Sequence, residues 1–211
     1  MYKCFLVLLV WSGCFCLAYG QGTDQKSGKT RATGSSLNSN QQAEANPADP
    51  PVNTQTNKLT AKEVANLFAG DIGKWKITGK SLRAGGAPEP FEDVIEIRWK
   101  VKGKSTAASF SPLINNVRVP FVGHKEYDAK EGVFLWRSKG EGFPETVSRE
   151  QYDRATKTYR GKSTYPDGAK ETSKFKVVSK DKRLFTSQVE IDGEVVFSRE
   201  AIFSRIAETE D

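Results

Sequence analysis

The residue with the widest chemical range in this sequence is its single histidine, His124. A histidine can act as a general base or as an axial ligand of haem. A nucleophilic serine would need His124 as its base, and no Gly-x-Ser-x-Gly motif is present to position such a serine. The three cysteines, Cys4, Cys14 and Cys16, all lie near the N-terminus, so the rest of the chain has no thiol nucleophile. We expect no catalytic residue and a non-enzymatic protein, with a haem-dependent enzyme using His124 as an alternative.

Acidic residues form no recognisable metal site in the sequence. Four aspartates follow strand-like segments and fall in turn sequences: Asp128, Asp153, Asp167 and Asp192. Turn aspartates usually accept hydrogen bonds from their own backbone. The sequence has no calcium-loop spacing and no cluster of histidine and cysteine. We therefore expect no metal ion and no cofactor.

Arg199 is the charged residue best suited to anchoring a ligand. In strict alternation it shares one strand face with four apolar residues, Val195, Phe197, Ala201 and Phe203. A guanidinium among apolar side chains is costly unless it is paired, and a ligand carboxylate could pair with it through two hydrogen bonds. Two alternatives need no ligand: a β-bulge that reverses the faces, or an internal acid such as Glu96 or Glu190.

A short helix is predicted ahead of the strands that would carry these residues. Thr60 followed by Glu63 is typical of a capping box. Apolar residues then recur at helical spacing at Val64, Leu67 and Phe68. Gly70 is placed to end the helix.

From Gly73 onward the apolar residues recur at every second position, which indicates strands with one buried face. Turn sequences separate these strands at short intervals, as at Asp192-Gly193. We predict an all-β domain of about eight to ten strands. It forms an antiparallel up-and-down β-barrel or a strongly curved meander.

The first 20 residues have the pattern of a signal peptide. Lys3 gives a basic start, an apolar run follows, and Ala18-Tyr19-Gly20 supplies small residues for cleavage. The apolar run is too short and interrupted for a transmembrane span. In the alternative, Ser12-Gly13-Cys14 resembles a lipobox and Cys14 carries a lipid anchor. We expect a secreted or periplasmic protein, or a membrane-anchored lipoprotein in that alternative.

Composition divides the remaining chain in two. Residues 21–57 are polar, with few large apolar side chains, and are predicted to be a disordered linker. Residues 58–211 form the predicted barrel domain. The net charge is +6, but lysines and arginines alternate with apolar residues instead of forming a run. We therefore expect no nucleic-acid partner.

Several features together resemble the lipocalin-like, or calycin, superfamily over residues 60–206. A short helix leads into Gly73-Lys74-Trp75, a glycine- and proline-rich loop follows at residues 84–90, and the last strand carries Arg199 and Arg205. The sequence looks most similar to small uncharacterised secreted bacterial proteins of this kind. The resemblance implies that Gly73, Trp75 and an arginine close one barrel end, with Arg205, or alternatively Arg199, packing over the indole. It also implies transport, storage or sensing of a small apolar molecule.

Two functions from different classes follow. The first is a secreted, non-enzymatic binding module for a small apolar or amphipathic ligand, anchored by Arg199 and lined by aromatic residues: Trp99, Trp136, Phe110 and Phe143. Such a module needs an internal cavity of roughly 300 Å³ or more. The alternative is a structural or protein-interaction domain with a packed barrel core, presented on a flexible tether, for which an exposed apolar patch would be evidence.

Overall fold

The computed structural model describes residues 58–114 and 117–207, together with two short N-terminal strands. These are β1 (Val7–Leu9) and β2 (Phe15–Leu17), which pair antiparallel. Apart from this pair, the predicted signal peptide (1–20), the alternative anchor at Cys14 and the predicted linker (21–57) lie outside the described residues and stay predictions. Within the described part, no helix has the length and apolar character needed to cross a membrane.

Helix α1 (Ala61–Asp71) begins at the predicted capping box. The hydroxyl of Thr60 accepts from the backbone N–H of Glu63 at 3.3 Å, and the Glu63 carboxylate accepts from the backbone N–H of Thr60 at 2.7 Å. The predicted end at Gly70 is wrong by one residue, because the helix continues to Asp71 and is capped by Ile72. The carbonyl of Gly70 instead accepts hydrogen bonds from Arg183 and Arg205.

Ten of the described strands close into one barrel. This confirms the all-β prediction and shows a closed barrel, in place of an open curved meander. They are β3 (Gly73–Arg83), β4 (Glu89–Val101), β5 (Ser105–Phe110), β8 (Phe121–Asp128), β9 (Val133–Gly140), β10 (Thr146–Asp153), β11 (Thr158–Thr164), β12 (Lys170–Ser179), β13 (Lys182–Ile191) and β14 (Glu194–Arg205). Each pairs antiparallel with its neighbour in that order, and β14 pairs with β3. A small hairpin of β6 (Leu113–Ile114) and β7 (Val117–Arg118) lies between β5 and β8.

A bulge in β14 decides which of its residues face inward. The pairing with β13 shifts so that Val189 faces Phe197 while Glu190 faces Val195. Val195 is therefore exposed, and its predicted place on the inner face is wrong. Arg199 lies beyond the bulge and remains inside, with 3% of its surface exposed.

Helix α1 covers one end of the barrel. Phe68 is fully buried, with its ring centroid 5.5 Å from that of Phe134 and 6.4 Å from that of Trp99. Edge-on aromatic contacts of this kind add to the free energy gained from apolar burial. The N-terminal turn is held separately, because Arg154 donates to the Glu63 carboxylate at 2.9 Å.

We expect Phe68→Ala to lower the free energy of unfolding by about 3 to 5 kcal/mol, because it removes a fully buried ring at the junction of helix and barrel. Urea denaturation followed by circular dichroism measures this loss. Asn66→Ala, at an exposed position of the same helix, serves as the control and changes stability by less than about 0.5 kcal/mol. Equal effects of the two variants would contradict the packing of α1 on the barrel.

Candidate functional site

The inner wall of the barrel combines apolar and polar sectors. Strands β3, β4, β5 and β8 contribute mainly apolar side chains to it, namely Trp75, Ile77, Ile95, Ala108, Phe110 and Phe121. Strands β9 to β14 add buried polar side chains, namely Ser138, Thr146, Ser148, Ser163, Glu171, Ser173, Ser187 and Arg199. Since a buried polar group is costly without a partner, the polar sector is the part of the interior that needs explanation.

Strand register aligns part of this sector in one row. Glu150 on β10 faces Gly161, which faces Ser173, which faces Ser187, which faces Arg199 on β14. Neighbouring strands lie about 4.8 Å apart, so consecutive members of the row are close enough to share a bound molecule. The row runs from Glu150, near the end of the barrel that α1 covers, to Arg199, near the opposite end.

A cavity of about 80 Å³ opens along the helix-side half of this row. Its polar lining consists of Asp71, Thr106, Lys125, Glu150, Tyr159 and Ser173, with Gly161 between them. Its apolar lining consists of Ile95, Ile97, Trp136, Phe175, Phe185 and Phe203. This mixture of an apolar wall and a few polar groups is typical of a small-molecule site.

Lys125 and Glu150 form a buried ion pair in the cavity wall. Their charged atoms are 2.6 Å apart, and the two side chains are 11% and 14% exposed. The Lys125 ammonium also lies 3.9 Å from the ring centroid of Tyr159 and 5.2 Å from that of Phe134. The carboxylate and the aromatic faces together offset the cost of removing the ammonium from water.

Asp71 supplies a second acid to the cavity, from the last residue of α1. Its carboxylate is 3.7 Å from the guanidinium of Arg183, whose side chain is 3% exposed. Burial raises the pKa of Asp71, and the charges of Lys125 and Arg183 oppose that rise. The acids of the cavity wall therefore each have a basic partner.

Two serine hydroxyls lie close to Gly161, at the edge of the cavity wall. The Ser148 residue is 1% exposed, and its hydroxyl has no hydrogen-bond partner among the residues that the structure describes. A Cβ placed on Gly161 would lie 3.1 Å from the Ser148 hydroxyl oxygen and 2.4 Å from that of Ser173. A side chain at position 161 would therefore collide with the Ser173 hydroxyl, so the close packing of the two serines requires glycine here.

The predicted lining residues lie at different depths of the barrel. Trp136 lines the cavity, and Gly123 makes room for it, because a Cβ there would lie 2.3 Å from the indole. Trp99 packs against the helix end. Phe110 and Phe143 surround Phe121 near the opposite end, with centroid distances of 5.5 and 5.4 Å. The structure therefore brings one of the four to the cavity wall, and the roles of all four in binding stay predictions.

Arg199 is inside the barrel but outside the cavity wall. Its guanidinium carbon lies 4.7 Å from the ring centroid of Phe91 and 5.5 Å from that of Phe197. Its charge lowers the pKa of two acids, Glu171 and Asp93, and the suggested pairing with Glu96 or Glu190 stays a prediction. Its role as a ligand anchor stays a prediction.

Glu171 is a site residue that our sequence reasoning missed. The hydroxyl of Tyr165 donates to its carboxylate at 2.5 Å. Complete burial raises the pKa of Glu171 to about 7, although hydrogen bonds from Tyr165 and Ser187 and the charge of Arg199 lower it. The alternation that buries Phe175, extended four residues back along β12, would have placed Glu171 on the inner face.

Gly73, Trp75 and Arg205 meet at the helix end. The Arg205 guanidinium carbon is 4.2 Å from the centroid of the Trp75 ring, and the indole N–H donates to the carbonyl of Asp71 at 2.9 Å. Arg205 also donates to the carbonyl of Ile72. Gly73 has a φ of +127°, and a Cβ on it would lie 2.6 Å from an Arg205 nitrogen, so this position requires glycine. The sequence reasoning missed Arg183, whose guanidinium carbon is 4.7 Å from the Trp75 ring centroid.

His124 lies on the outer face of β8, between the inward-facing Gly123 and Lys125. Its Nε2 is 3.9 Å from the carboxylate of Glu126, and burial lowers its pKa. His124 is not part of the cavity wall, so the haem hypothesis has no histidine facing the interior. Among the described residues, no group of three or more His, Cys, Asp or Glu side chains could hold a metal ion.

Comparison with known proteins identifies the fold. The sequence matches no protein-family model and no curated protein. The structure is similar to the S-type phycobiliprotein lyase CPES from Guillardia theta, with 13% identity and a TM-score of 0.54 over 72% of this chain and 99% of that chain. It is also similar to Rv2717c from M. tuberculosis, with 8% identity and a TM-score of 0.52 over 71% and 99% of the two chains. At these identities the similarity shows a shared fold, which extends over almost the whole length of both proteins.

We expect Ser148→Ala to leave the free energy of unfolding unchanged or to raise it by up to about 1 kcal/mol, because it removes a buried hydroxyl without a partner. Ser138→Ala is the matched control: that residue is also 1% exposed, but its hydroxyl is 3.1 Å from the hydroxyl of Thr146. We expect this control to lose about 1 kcal/mol. Urea denaturation compares them, and a larger loss for Ser148→Ala would show that its hydroxyl has a structural role.

The raised pKa of Glu171 predicts a pH dependence of stability. The carboxyl titrates near 4.5 in the unfolded chain and near 7 in the barrel, so the folded state binds more protons between these values. Its contribution is complete below pH 4.5 and is lost as the pH rises through 7, by roughly 3 kcal/mol.

Urea denaturation at pH 4.5 and pH 8 measures this change. We expect Glu171→Gln, whose amide oxygen still accepts from Tyr165, to remove most of the difference between the two pH values. Glu145→Gln, at an exposed position, keeps the wild-type difference. A wild-type pH dependence that survives in Glu171→Gln would contradict the assignment to this carboxyl.

Proposed function

We propose that the barrel binds a small amphipathic molecule in the cavity between Trp136 and Ser173. The observation that carries this proposal is the cavity of about 80 Å³, whose wall combines aromatic side chains with a few polar groups. A ligand could form hydrogen bonds with polar groups of this wall such as Ser173 and Thr106, and the aromatic side chains would hold its apolar part.

Cavity size limits what such a ligand can be. An apolar protein cavity of about 150 Å³ binds benzene. The cavity of about 80 Å³ therefore accepts a molecule smaller than benzene, or one end of a longer molecule whose remainder displaces side chains. It falls short of the roughly 300 Å³ expected for a carrier of drug-sized ligands.

The lipocalin-like fold supports a binding function without specifying it, because one fold serves many functions. One similar structure is, by its name, a phycobiliprotein lyase, so a barrel of this kind can also belong to a protein named as an enzyme. For this chain we propose binding without catalysis. We also propose that it acts outside the cytoplasm, on the basis of the signal-peptide pattern in residues 1–20, with a lipid anchor at Cys14 as the alternative.

A protein-interaction domain is the second candidate, and the outer surface favours it. A groove of about 600 Å³ runs along β4, β5 and β8, lined in part by Val94 and Val122. These side chains are 49% and 64% exposed. Exposed apolar residues beside a groove are typical of contact surfaces.

Native mass spectrometry of the protein purified from its own host, followed by organic extraction, tests the binding function. We expect an added mass on the folded protein that extraction releases as a small organic molecule. Gly161→Ala should lose this mass, because its methyl group would collide with Ser173 and change the shape of the cavity wall. Gly86→Ala, in an exposed loop, is the matched control and keeps it. A clean unliganded mass for the wild type would favour the interaction domain.

A further inference from the structure

We propose that the outer face of β10, β11 and β12 binds a membrane surface that carries anionic lipid headgroups. This surface lies on the outside of the barrel, so its function is separate from that of the cavity. The charges on three neighbouring strands and the apolar side chains at their border support it.

Basic side chains dominate the outward positions of these three strands. Outward residues alternate with buried ones along each strand. Asp153 is the one acid at an outward position of β10, β11 and β12, all of whose residues the structure describes. The outward bases, which we call the basic face, are Arg149, Arg160, Lys162, Lys170, Lys174 and Lys176.

Strand register places like charges directly opposite each other in the basic face. Arg149 on β10 faces Lys162 on β11, and Arg160 on β11 faces Lys174 on β12. Like charges at opposed positions of neighbouring strands lower the stability of a sheet. Folding alone does not require this cost. A negatively charged partner would relieve the repulsion, so the arrangement favours a binding role for these side chains.

Three acids among the described residues are in contact or in register with the basic face, and they leave it positive. Glu131 lies 3.9 Å from Arg149, in the turn before β9. The carboxylate of Asp153 accepts hydrogen bonds from the backbone of its own turn. Glu190 faces Lys170 across the pairing of β12 with β13. The six bases therefore outnumber the acids around them.

The opposite side of the barrel has a different charge pattern. β4 lies five strands from β11 in either direction around the barrel. Bases of β3 and β4 form ion pairs with acids, at distances of 2.9, 3.3 and 2.7 Å for Lys76–Glu92, Lys80–Glu200 and Arg98–Glu96. Positive charge is thus concentrated on one side, and such an asymmetry orients a protein towards a negatively charged surface.

Exposed aliphatic side chains border the basic face and indicate which kind of anionic partner fits. Leu184 on β13 faces Lys176, and Ile202 on β14 faces Leu184. The two side chains are 38% and 40% exposed. At a membrane surface, bases contact the headgroups while neighbouring apolar side chains enter the interface. Proteins that bind single-stranded nucleic acid instead stack bases on aromatic rings, and the outward positions of β10, β11 and β12 carry no aromatic residue.

Flotation with lipid vesicles tests this surface, using the protein expressed in and purified from its own host. One set of vesicles is phosphatidylcholine alone, and the other is an equimolar mixture of phosphatidylcholine and phosphatidylglycerol. We expect the partition coefficient to be at least about tenfold higher for the mixed vesicles. It should fall when sodium chloride is raised from about 0.1 M to about 1 M, because salt screens exposed charges. Equal partitioning into the two sets, or none into either, would overturn the proposal.

A pair of substitutions locates the contact. We expect Lys162→Gln combined with Lys174→Gln to lower partitioning into the mixed vesicles about tenfold. Its midpoint of thermal unfolding should stay the same or rise, because each substitution removes one like-charge pair. Arg98→Gln combined with Lys100→Gln removes the same charge from exposed positions of β4 and should change partitioning less than about twofold. Equal losses for the two pairs would assign the effect to net charge and overturn the role of the basic face.

Leu184→Ser separates a membrane from a soluble polyanion. We expect it to lower partitioning about threefold, because a side chain that enters the interface is lost. Thr186→Ser, at the next outward position of β13, is the control and leaves partitioning unchanged. An unchanged partition coefficient for Leu184→Ser, together with tighter binding to a single-stranded oligonucleotide than to the mixed vesicles, would overturn the membrane in favour of a nucleic-acid partner.

Discussion

Closure of the barrel is the constraint on which the rest of this structure depends. A closed antiparallel barrel pairs every strand with two neighbours and leaves no open sheet edge. Because the sheet is closed, every second side chain of the ten strands points into one confined volume. Charged and hydroxyl-bearing residues that face inward must then find partners on other strands, as Lys125 on β8 does with Glu150 on β10. The polar row and the cavity are both products of this confinement.

Helix α1 depends on the barrel for its C-terminus. The last turn of a helix leaves its carbonyl groups without partners inside the helix, and these carry partial negative charge. No basic residue lies in the last turn of α1. Arg183 from β13 and Arg205 from β14 donate to the carbonyl of Gly70, and both guanidinium groups pack on Trp75. Helix capping and barrel closure therefore use the same two side chains.

Local patterns in the sequence predicted which face of an element each residue lies on. They did not predict how far along the barrel axis each residue lies. The capping box at Thr60 and the inward direction of Arg199 follow from spacing alone, since period and capping are local properties. The bulge at Val196 and the separation of Trp99 from Phe110 depend on strand register, which is a non-local property. Lys125 stands between His124 and Glu126 in a polar stretch that resembles a solvent face, and its partner Glu150 is 25 positions away. Glu171 was missed although local alternation along β12 places it on the inner face, because buried positions were sought among apolar residues.

Asp71 belongs both to the end of α1 and to the wall of the cavity. A molecule that leaves the cavity through this end has to displace the turn of helix that carries Asp71, together with its bonds to two arginines. Residence time at this end would then be governed by how often the last helical turn opens, and not by how well the site fits its occupant. A weakly held molecule could exchange slowly for this reason.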